Sequence, residues 1–188
     1  MAIASKKICL VGDFGVGKTS LIRRFVDCQF SDHYLSTVGV KISRKVLTFE
    51  SEAQPVPPSL QLVIWDLEGR TQFKAIASSY LQGASGAIVV GDLTRESTLQ
   101  AINGHIDLFQ KVNPQGWIAI ALNKADLLEE ALAERSPWLT SFLDRPEVLS
   151  AFPTSAKNAL NVEAAFRTVA SGRAEFSPFR TGERSRGE

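Results

Sequence analysis

The chain has 188 residues, of which 44% are hydrophobic, and a formal net charge of +1. This length suffices for one domain with a full core and leaves no room for a second domain. The near-neutral charge gives no reason to expect a nucleic-acid partner, and no apolar run approaches the roughly 20 residues of a membrane-spanning helix.

Apolar runs that predict strands alternate with helix-like stretches along the chain. The predicted strands are residues 8–11, 40–49, 60–65, 87–91, 118–122 and 148–152. The predicted helices are residues 18–27, 73–82, 97–112 and 162–171, with a short piece that opens at Ser136-Pro137 and takes Ser136 as its N-cap. This alternation predicts an α/β fold, and the unbroken apolar runs indicate a mostly parallel six-stranded sheet with helices on both faces. A ligand then binds at the carboxyl ends of the strands.

A phosphate-binding loop is predicted directly after the first strand. Residues 12–19 carry the pattern G-x-x-x-x-G-K-[ST], in which the glycines let successive backbone N–H groups converge on phosphate oxygens. Lys18 adds a positive charge, and Thr19 places its hydroxyl on a bridging Mg²⁺ ion. The alternative is a strand-to-helix turn without a ligand, which needs neither the lysine nor the hydroxyl at that spacing. The predicted phosphate-binding residues are Gly15, Val16, Gly17, Lys18, Thr19 and Ser20.

The segment Asn123-Lys124-Ala125-Asp126, after the fifth predicted strand, selects the base. The carboxylate of Asp126 can accept two hydrogen bonds from adjacent N–H donors of guanine, whereas adenine offers no such pair. The preference for guanine could reach roughly 10⁴, and it disfavours an ATP-dependent phosphotransferase. The alternative is an aspartate that caps a helix after a strand. Ser155, Ala156 and Lys157 follow the last predicted strand and are expected to close over the base from the other side.

In this order and at these spacings the three motifs resemble the Ras superfamily of small GTPases, and the flanking residues are most similar to its Rab branch. The resemblance runs from about Lys6 to Ser171 and includes YLSTVGV at 34–40, LVIWD at 62–66, GAIVV at 86–90 and TSAKN at 154–158. It implies a P-loop NTPase small G domain over residues 1–172, followed by a flexible tail over 173–188. It also implies a molecular switch that binds GTP or GDP with Mg²⁺ and hydrolyses GTP.

The resemblance also implies roles for single residues. Thr19 and Thr37 match the hydroxyls that hold the metal in the family, and Asp66 matches the carboxylate behind it. Gly69 matches the glycine whose amide senses the terminal phosphate. Phe30 falls where the family covers the guanine edge with an aromatic ring, although a ring there can equally anchor the core.

Two departures from the family pattern fall where hydrolysis is controlled. The sequence Glu68-Gly69-Arg70 lacks the glutamine that orients the attacking water, and an arginine cannot accept a hydrogen bond from water. For Arg70 the alternatives are an arginine finger in cis and a solvated residue of the switch. For Glu68 the alternatives are a carboxylate that activates water and one whose charge repels the terminal phosphate. Phe14 puts a ring where the family keeps a small side chain, which blocks an activating arginine and crowds the water. We therefore expect hydrolysis at or below roughly 10⁻³ to 10⁻⁴ s⁻¹.

Protein partners are expected at the two switch segments. Effectors would contact residues 34–43 and 67–80, and exchange or activating factors would act on the same region, although Lys41 replaces an acidic residue that is usual in the Rab switch. Two alternatives stay open: a competent GTPase with an activator, and a nucleotide-locked module that never cycles. The tail from Ser177 to Glu188 contains no cysteine and position 2 is Ala2, so neither a prenyl nor a myristoyl anchor is predicted. With no signal peptide either, a soluble cytoplasmic protein is expected.

Overall fold

The chain folds around one six-stranded sheet in the order β2-β3-β1-β4-β5-β6. The computed structural model describes residues 3–31, 37, 39–49, 59–69 and 74–173. The strands are β1 (Ala4–Val11), β2 (Val40–Thr48), β3 (Ser59–Leu67), β4 (Gly86–Asp92), β5 (Trp117–Asn123) and β6 (Val148–Pro153). Each of the six lies where the sequence predicts a strand, so the predicted number and order along the chain are confirmed.

The helices cover both faces of this sheet. They are α1 (Lys18–Asp27), α2 (Lys74–Leu81), α3 (Glu96–Gln100), α4 (Ile102–Val112), α5 (Glu130–Glu134) and α6 (Val162–Ser171). Short 3₁₀ turns add Ala125–Leu127 and Pro137–Leu139. The bounds of α1 and α6 agree with the prediction, because both helices carry a clear apolar face and end at a residue in the left-handed region, Cys28 and Gly172 respectively.

The sheet is mostly parallel, as predicted. Strand β1 pairs in parallel with β3 and β4, β4 pairs with β5, and β5 pairs with β6, whereas β2 runs antiparallel to β3. Every residue of β4 is buried. A central parallel strand is buried on both faces, which explains why its sequence is a continuous apolar run without alternation.

Two apolar clusters lie on opposite faces of the sheet. On one face α1 and α6 pack together, and the rings of Phe25 and Phe166 stack with their centroids 3.9 Å apart. On the other face Phe109 and Phe142 are fully buried with side chains from β4 and β5. The sheet is therefore held between two layers, and its carboxyl edge is left to the loops.

The prediction of one helix over residues 97–112 is wrong, because α3 and α4 are separate helices that meet at Ala101. Ala101 keeps helical dihedral angles, and its N–H donates to the carbonyl of Ser97, so the break is a local one. The sequence analysis also missed α5 and the turn Ala125–Leu127, which are too short for a helical period to show.

Ser136 does lie at the N-cap of a helical turn, but its hydroxyl does not cap that turn. The N–H of Leu139 is already taken by the carbonyl of Ser136, and Pro137 has no N–H to offer. Among the described helices, none combines the length and the apolar character that crossing a bilayer requires.

Candidate functional site

A pocket opens at the carboxyl edge of the sheet, where the loops after the parallel strands meet. Most of the residues that the sequence predicts for the site line this pocket. They are Gly15, Gly17, Lys18, Thr19, Ser20, Phe30, Thr37, Gly69, Asn123, Lys124, Asp126, Ala156 and Lys157. Its wall also contains residues that the sequence analysis missed, which are Arg23, Ser31, Leu67 and Leu127. Arg23, Ser31 and Leu127 belong to no motif, whereas Leu67 opens the segment 67–80 that is expected to contact effectors.

The phosphate-binding loop joins β1 to α1 and turns the start of that helix toward the pocket. Gly17 occupies the N-cap with φ at 99°, a left-handed conformation that favours glycine. A Cβ atom there would lie 2.2 Å from Nδ2 of Asn123, so the close approach of the two motifs also requires glycine. Val16 lies just behind the loop with no exposed surface, and it is not part of the pocket lining.

Lys18 lies inside the loop with 7% of its surface exposed. Its Nζ atom donates hydrogen bonds to the carbonyls of Gly12 (2.7 Å) and Asp13 (2.9 Å). Burial lowers the pKa of Lys18 to about 8, although the nearby carboxylates of Asp66 and Asp13 oppose the shift. The loop therefore holds a cation whose charge a bound anion would stabilise.

Two hydroxyls and one carboxylate meet beside Lys18. Oγ1 of Thr19 donates to Oδ2 of Asp66 at 2.5 Å and lies 2.8 Å from Oγ1 of Thr37, which itself lies 3.2 Å from the same carboxylate oxygen. Asp66 is 1% exposed. Hydroxyl and carboxylate oxygens are the donors that Mg²⁺ takes in proteins, so this set fits that ion.

The second carboxylate oxygen of Asp66, Oδ1, also fits a site for Mg²⁺. Within the described residues Oδ1 is buried and has no hydrogen-bond partner. Burial raises the pKa of Asp66, while the hydrogen bond from Thr19 and the charge of Lys18 act in the opposite direction. A buried acceptor without a partner is costly, and a cation or an ordered water beside it would remove that cost.

The two predicted base motifs lie in the loops after β5 and β6, at one end of the pocket. Nδ2 of Asn123 donates to the carbonyl of Val16 at 2.8 Å, and Oδ1 of Asn123 accepts from the hydroxyl of Thr154 at 3.3 Å. Oδ1 of Asp126 accepts a hydrogen bond of 2.5 Å from the hydroxyl of Ser155. The two predicted base motifs, one from each loop, are therefore in direct contact.

Asp126 does not cap a helix, so that alternative is wrong. It is the second residue of the 3₁₀ turn Ala125–Leu127, and Lys124 occupies the N-cap position with φ at 65°. Asp126 therefore presents its carboxylate at the pocket wall. The other predicted residues of this end, Ala156 and Lys157, are held through their carbonyls by Arg24 of α1, whose Nε and Nη2 atoms donate at 2.7 and 2.8 Å.

Phe30 lies between the core and the pocket. Its ring packs against the apolar cluster beneath α1, and it also lines the pocket. An aromatic side chain that is anchored in the core on one side can still cover a ligand on the other, so the two alternatives are compatible.

Gly69 lines the other end of the pocket, and Glu68 precedes it. Oε2 of Glu68 accepts a hydrogen bond from the N–H of Gly39 at 2.8 Å, and the N–H of Glu68 donates to the carbonyl of Gly39 at 3.0 Å. A Cβ atom on Gly69 would lie within 2.7 Å of the peptide between Asp13 and Phe14, so this backbone packs directly on the phosphate-binding loop. The predicted catalytic residue Arg70 lies outside the described residues.

Phe14 lines the pocket at the tip of the loop with 39% of its surface exposed. Two further side chains that the sequence analysis did not connect with the site hold this tip. Nη2 of Arg95 donates to the carbonyl of Phe14 at 2.9 Å, and Nε2 of His105 lies 2.9 Å from Oδ1 of Asp13. His105 therefore makes a contact that supports the loop.

These observations define the class of protein. A parallel sheet whose first strand leads through a glycine loop into a helix, with the strand order found here, is a P-loop small G domain. The loops after β5 and β6 add the paired base motifs at the same edge.

Comparisons with known proteins agree. The Ras family model matches residues 7–174. Ras-related protein Rab-22A of Homo sapiens is 34% identical over 168 residues, which are 88% of this chain and 82% of that protein. GTP-binding protein ypt5 of Schizosaccharomyces pombe is 36% identical over 167 residues (88% and 76%), and ypt1 of the same yeast is 35% identical over 164 residues (87% and 77%).

The chain belongs to the Ras family. It is a Rab-like small GTPase, a guanine-nucleotide switch with GTP hydrolase activity, as the motifs predict. Members of this family bind GTP and GDP with Mg²⁺ and act through protein effectors and regulators.

Proposed function

We propose that the pocket at the carboxyl edge of the sheet binds GTP or GDP together with Mg²⁺, and that GTP is hydrolysed slowly there. The observation that carries this proposal is the presence in one pocket of a buried lysine, a hydroxyl cluster beside Asp66, and the carboxylate of Asp126. A single guanosine polyphosphate with its metal ion can use all three.

The phosphates are assigned to the loop and the start of α1. Backbone N–H groups of Gly15, Val16, Gly17, Lys18, Thr19 and Ser20 would donate to them, helped by the positive end of the helix. Lys18 contributes its charge, and since burial disfavours that charge without a ligand, phosphate binding would raise the pKa of Lys18 from about 8. The same lysine would stabilise negative charge that develops during hydrolysis.

The metal is assigned to Thr19 and Thr37, with Asp66 behind them. The hydroxyl of Thr19 donates its hydrogen bond to Asp66, which leaves the lone pairs of its oxygen for a cation. Bound Mg²⁺ would offset the charge of the phosphates. The unpaired oxygen of Asp66 would then face a cation or one of its water molecules, which accounts for a carboxylate that is otherwise costly to bury.

The base is assigned to Asp126, whose carboxylate would accept two hydrogen bonds from guanine. Ser155 already donates to this carboxylate and fixes its direction, while its own oxygen accepts the N–H groups of Lys157 and Asn158. Asn123 ties this loop to the phosphate-binding loop. Lys124, Ala156, Lys157 and Phe30 form the surrounding wall.

Slow hydrolysis is proposed from the chemistry of three side chains. Arg70 cannot accept a hydrogen bond from water, and the carboxylate of Glu68 already accepts a hydrogen bond from the backbone N–H of Gly39. The ring of Phe14 occupies the rim of the pocket beside the proposed phosphate site. Neither Arg70 nor Glu68 is thus expected to orient water, and we propose a rate of roughly 10⁻³ s⁻¹ or below.

The switch itself is proposed to reside in the segments that hold Thr37 and Gly69. Contacts of these two residues with metal and terminal phosphate would order residues 34–43 and 67–80, where effectors, exchange factors and activating factors would bind. We propose that the G domain spans residues 1–172 and that 173–188 form a tail.

The decisive experiment identifies the nucleotide and its fate together. Protein purified in Mg²⁺ is denatured, and the released nucleotide is separated and quantified. A second sample is loaded with GTP, and phosphate release is timed under single-turnover conditions. We expect a guanine nucleotide and a rate of roughly 10⁻³ s⁻¹ or below. An adenine nucleotide, or no purine at all with Mg²⁺ supplied, contradicts the proposal, and a much faster rate contradicts its kinetic part.

A further inference from the structure

Asp92 is a buried carboxylate at the end of β4, and it bonds side chains from the loops after β4 and β5. It has no exposed surface. Its Oδ2 atom accepts from Nζ of Lys124 at 2.6 Å and from Nε of Arg95 at 2.9 Å, while Oδ1 accepts both the N–H and the hydroxyl of Thr94. Burial would raise the pKa of Asp92, but the hydrogen bonds from Lys124, Thr94 and Arg95 lower it below the ordinary value. The carboxylate is therefore a stable anion that orients two cations.

The guanidinium of Arg95 contacts Asp92 through its Nε edge and the phosphate-binding loop through its other edge. Nη2 donates to the carbonyl of Phe14 at 2.9 Å, and the same nitrogen lies 3.6 Å from the position of a Cβ atom on Gly15. Phe14 and Gly15 line the pocket, whereas Arg95 approaches the loop from outside it. The side chain thus fixes the direction of one carbonyl at the tip of the loop.

The direction of that carbonyl decides the direction of the next amide. The structure contains no cis peptide bond among its described residues, and in a planar trans peptide the C=O and the following N–H point in opposite directions. Because the oxygen of Phe14 points at Arg95, the N–H of Gly15 points away from Arg95. Gly15 is one of the residues assigned to the phosphates under the proposed function, on which this inference rests.

We propose that Arg95 is a positioning residue for the phosphates: it holds the Phe14–Gly15 peptide so that the Gly15 amide faces the nucleotide. Asp92 orients Arg95 for this task and at the same time holds Lys124 of the base motif. Simultaneous contact with Asp92 and with the carbonyl of Phe14 requires a planar guanidinium, which has N–H donors on two edges. A lysine ammonium on a flexible stem has no such planar set of donors. His105, through Asp13, supports the residue before Phe14.

The test compares GDP release from the full chain, from R95A and R95K, and from R145A as a matched control. Arg145 bonds Asp107 and Glu147 on the surface, so its loss removes an equally well-paired arginine outside the site. Dissociation of a fluorescent GDP analogue is expected to become about fivefold to tenfold faster in both Arg95 variants and to stay at the wild-type rate in R145A.

NMR signals from the phosphates and from the guanine base distinguish a loss of phosphate positioning from a general loss of structure in the protein. In R95K, with GDP and Mg²⁺ bound, ³¹P resonances of GDP are expected to shift, while the guanine imino proton that faces Asp126 keeps its wild-type position. The ¹⁵N-labelled amide of Gly15 is expected to move with the phosphorus signals. R95K keeps the positive charge and the long stem, so it remains available for these measurements if R95A does not fold.

Three results overturn the proposal, and they differ in what they say of the proposed function. If wild type binds GDP and R95K releases it at the wild-type rate with unchanged ³¹P resonances, Arg95 does not position the phosphates and the proposed function stands. If wild type binds no GDP with Mg²⁺ supplied, both fail together. Faster release with equal shifts at the phosphate and base ends also overturns positioning, because it indicates a general loss of structure.

Discussion

The proposed base-binding end and the proposed phosphate-binding end of the pocket differ in how their polar groups are paired. At the base end Asn123 and Asp126 are hydrogen-bonded to neutral partners, Val16 and Ser155. At the phosphate end a lysine and a carboxylate are buried, the pKa of Lys18 is lowered to about 8, and burial raises the pKa of Asp66. Burial disfavours the charged form of each group.

The difference shows where a ligand is needed. The ends of β5 and β6 bring the donors and acceptors of the proposed base end together and pair them with neutral groups. The phosphate end keeps a charged pair at a cost that a polyphosphate and a metal ion would offset. We expect changes at the base end to alter which nucleotide binds, and changes at the phosphate end to alter how binding depends on metal and pH.

Asp126→Ala is expected to have the largest effect. Removing the carboxylate deletes both proposed acceptors for guanine and should weaken GDP binding at least about 1,000-fold, with the preference over ADP lost. Isothermal titration with both nucleotides measures this. Asp144→Ala, which changes an exposed aspartate, is the matched control. An unchanged preference for GDP in Asp126→Ala would show that another group reads the base.

Thr19→Ala tests the phosphate end through the metal. Chelation of Mg²⁺ should speed GDP release from wild type on the order of 100-fold, because the metal offsets phosphate charge. In Thr19→Ala, chelation should accelerate GDP release much less than in wild type, since the proposed hydroxyl ligand is gone. Thr140→Ala removes an exposed hydroxyl that bonds only a local carbonyl among the contacts described, and it should keep the full chelation effect. The same effect in both variants would rule out Thr19 as a ligand.

Arg70→Gln addresses the rate of hydrolysis. A glutamine amide can orient water where an arginine cannot, so the single-turnover rate should rise about tenfold or more. Arg135→Gln, at an exposed position, should leave the rate unchanged. A fall in the rate of Arg70→Gln would instead indicate that Arg70 stabilises the phosphates as a finger in cis.

The smallest effect is expected from pH. Because the pKa of Lys18 is about 8 without a ligand and a phosphate favours the charged form, raising the pH deprotonates the free protein and weakens binding. GDP affinity should fall about threefold between pH 7.5 and 8.5. Lys18→Arg stays charged over this interval and should lose the slope, so an equal slope in both proteins would assign the titration to another group.

Local sequence patterns predicted those parts of the molecule that depend on nearby residues. The strands and the bounds of α1 and α6 follow from apolar periodicity. The P-loop, Asn-Lys-x-Asp and Ser-Ala-Lys motifs lie at the carboxyl edge of the sheet, as the sequence predicts. The roles assigned to their residues remain predictions. The break at Ala101 and the short α5 leave no periodic signal. Arg95 and His105 reach the loop across 81 and 92 residues of sequence, and such contacts exist only once the sheet is assembled.

Helix α1 has one further consequence. It begins in the phosphate-binding loop, its Arg24 bonds the carbonyls of Ala156 and Lys157, and its Phe25 stacks on Phe166 of α6. The spacing between the proposed anchor points for base and phosphate is thus set by a packed helix. A compound that is too short to span this fixed length, such as a free guanine base or inorganic pyrophosphate, gains the contacts of one end only.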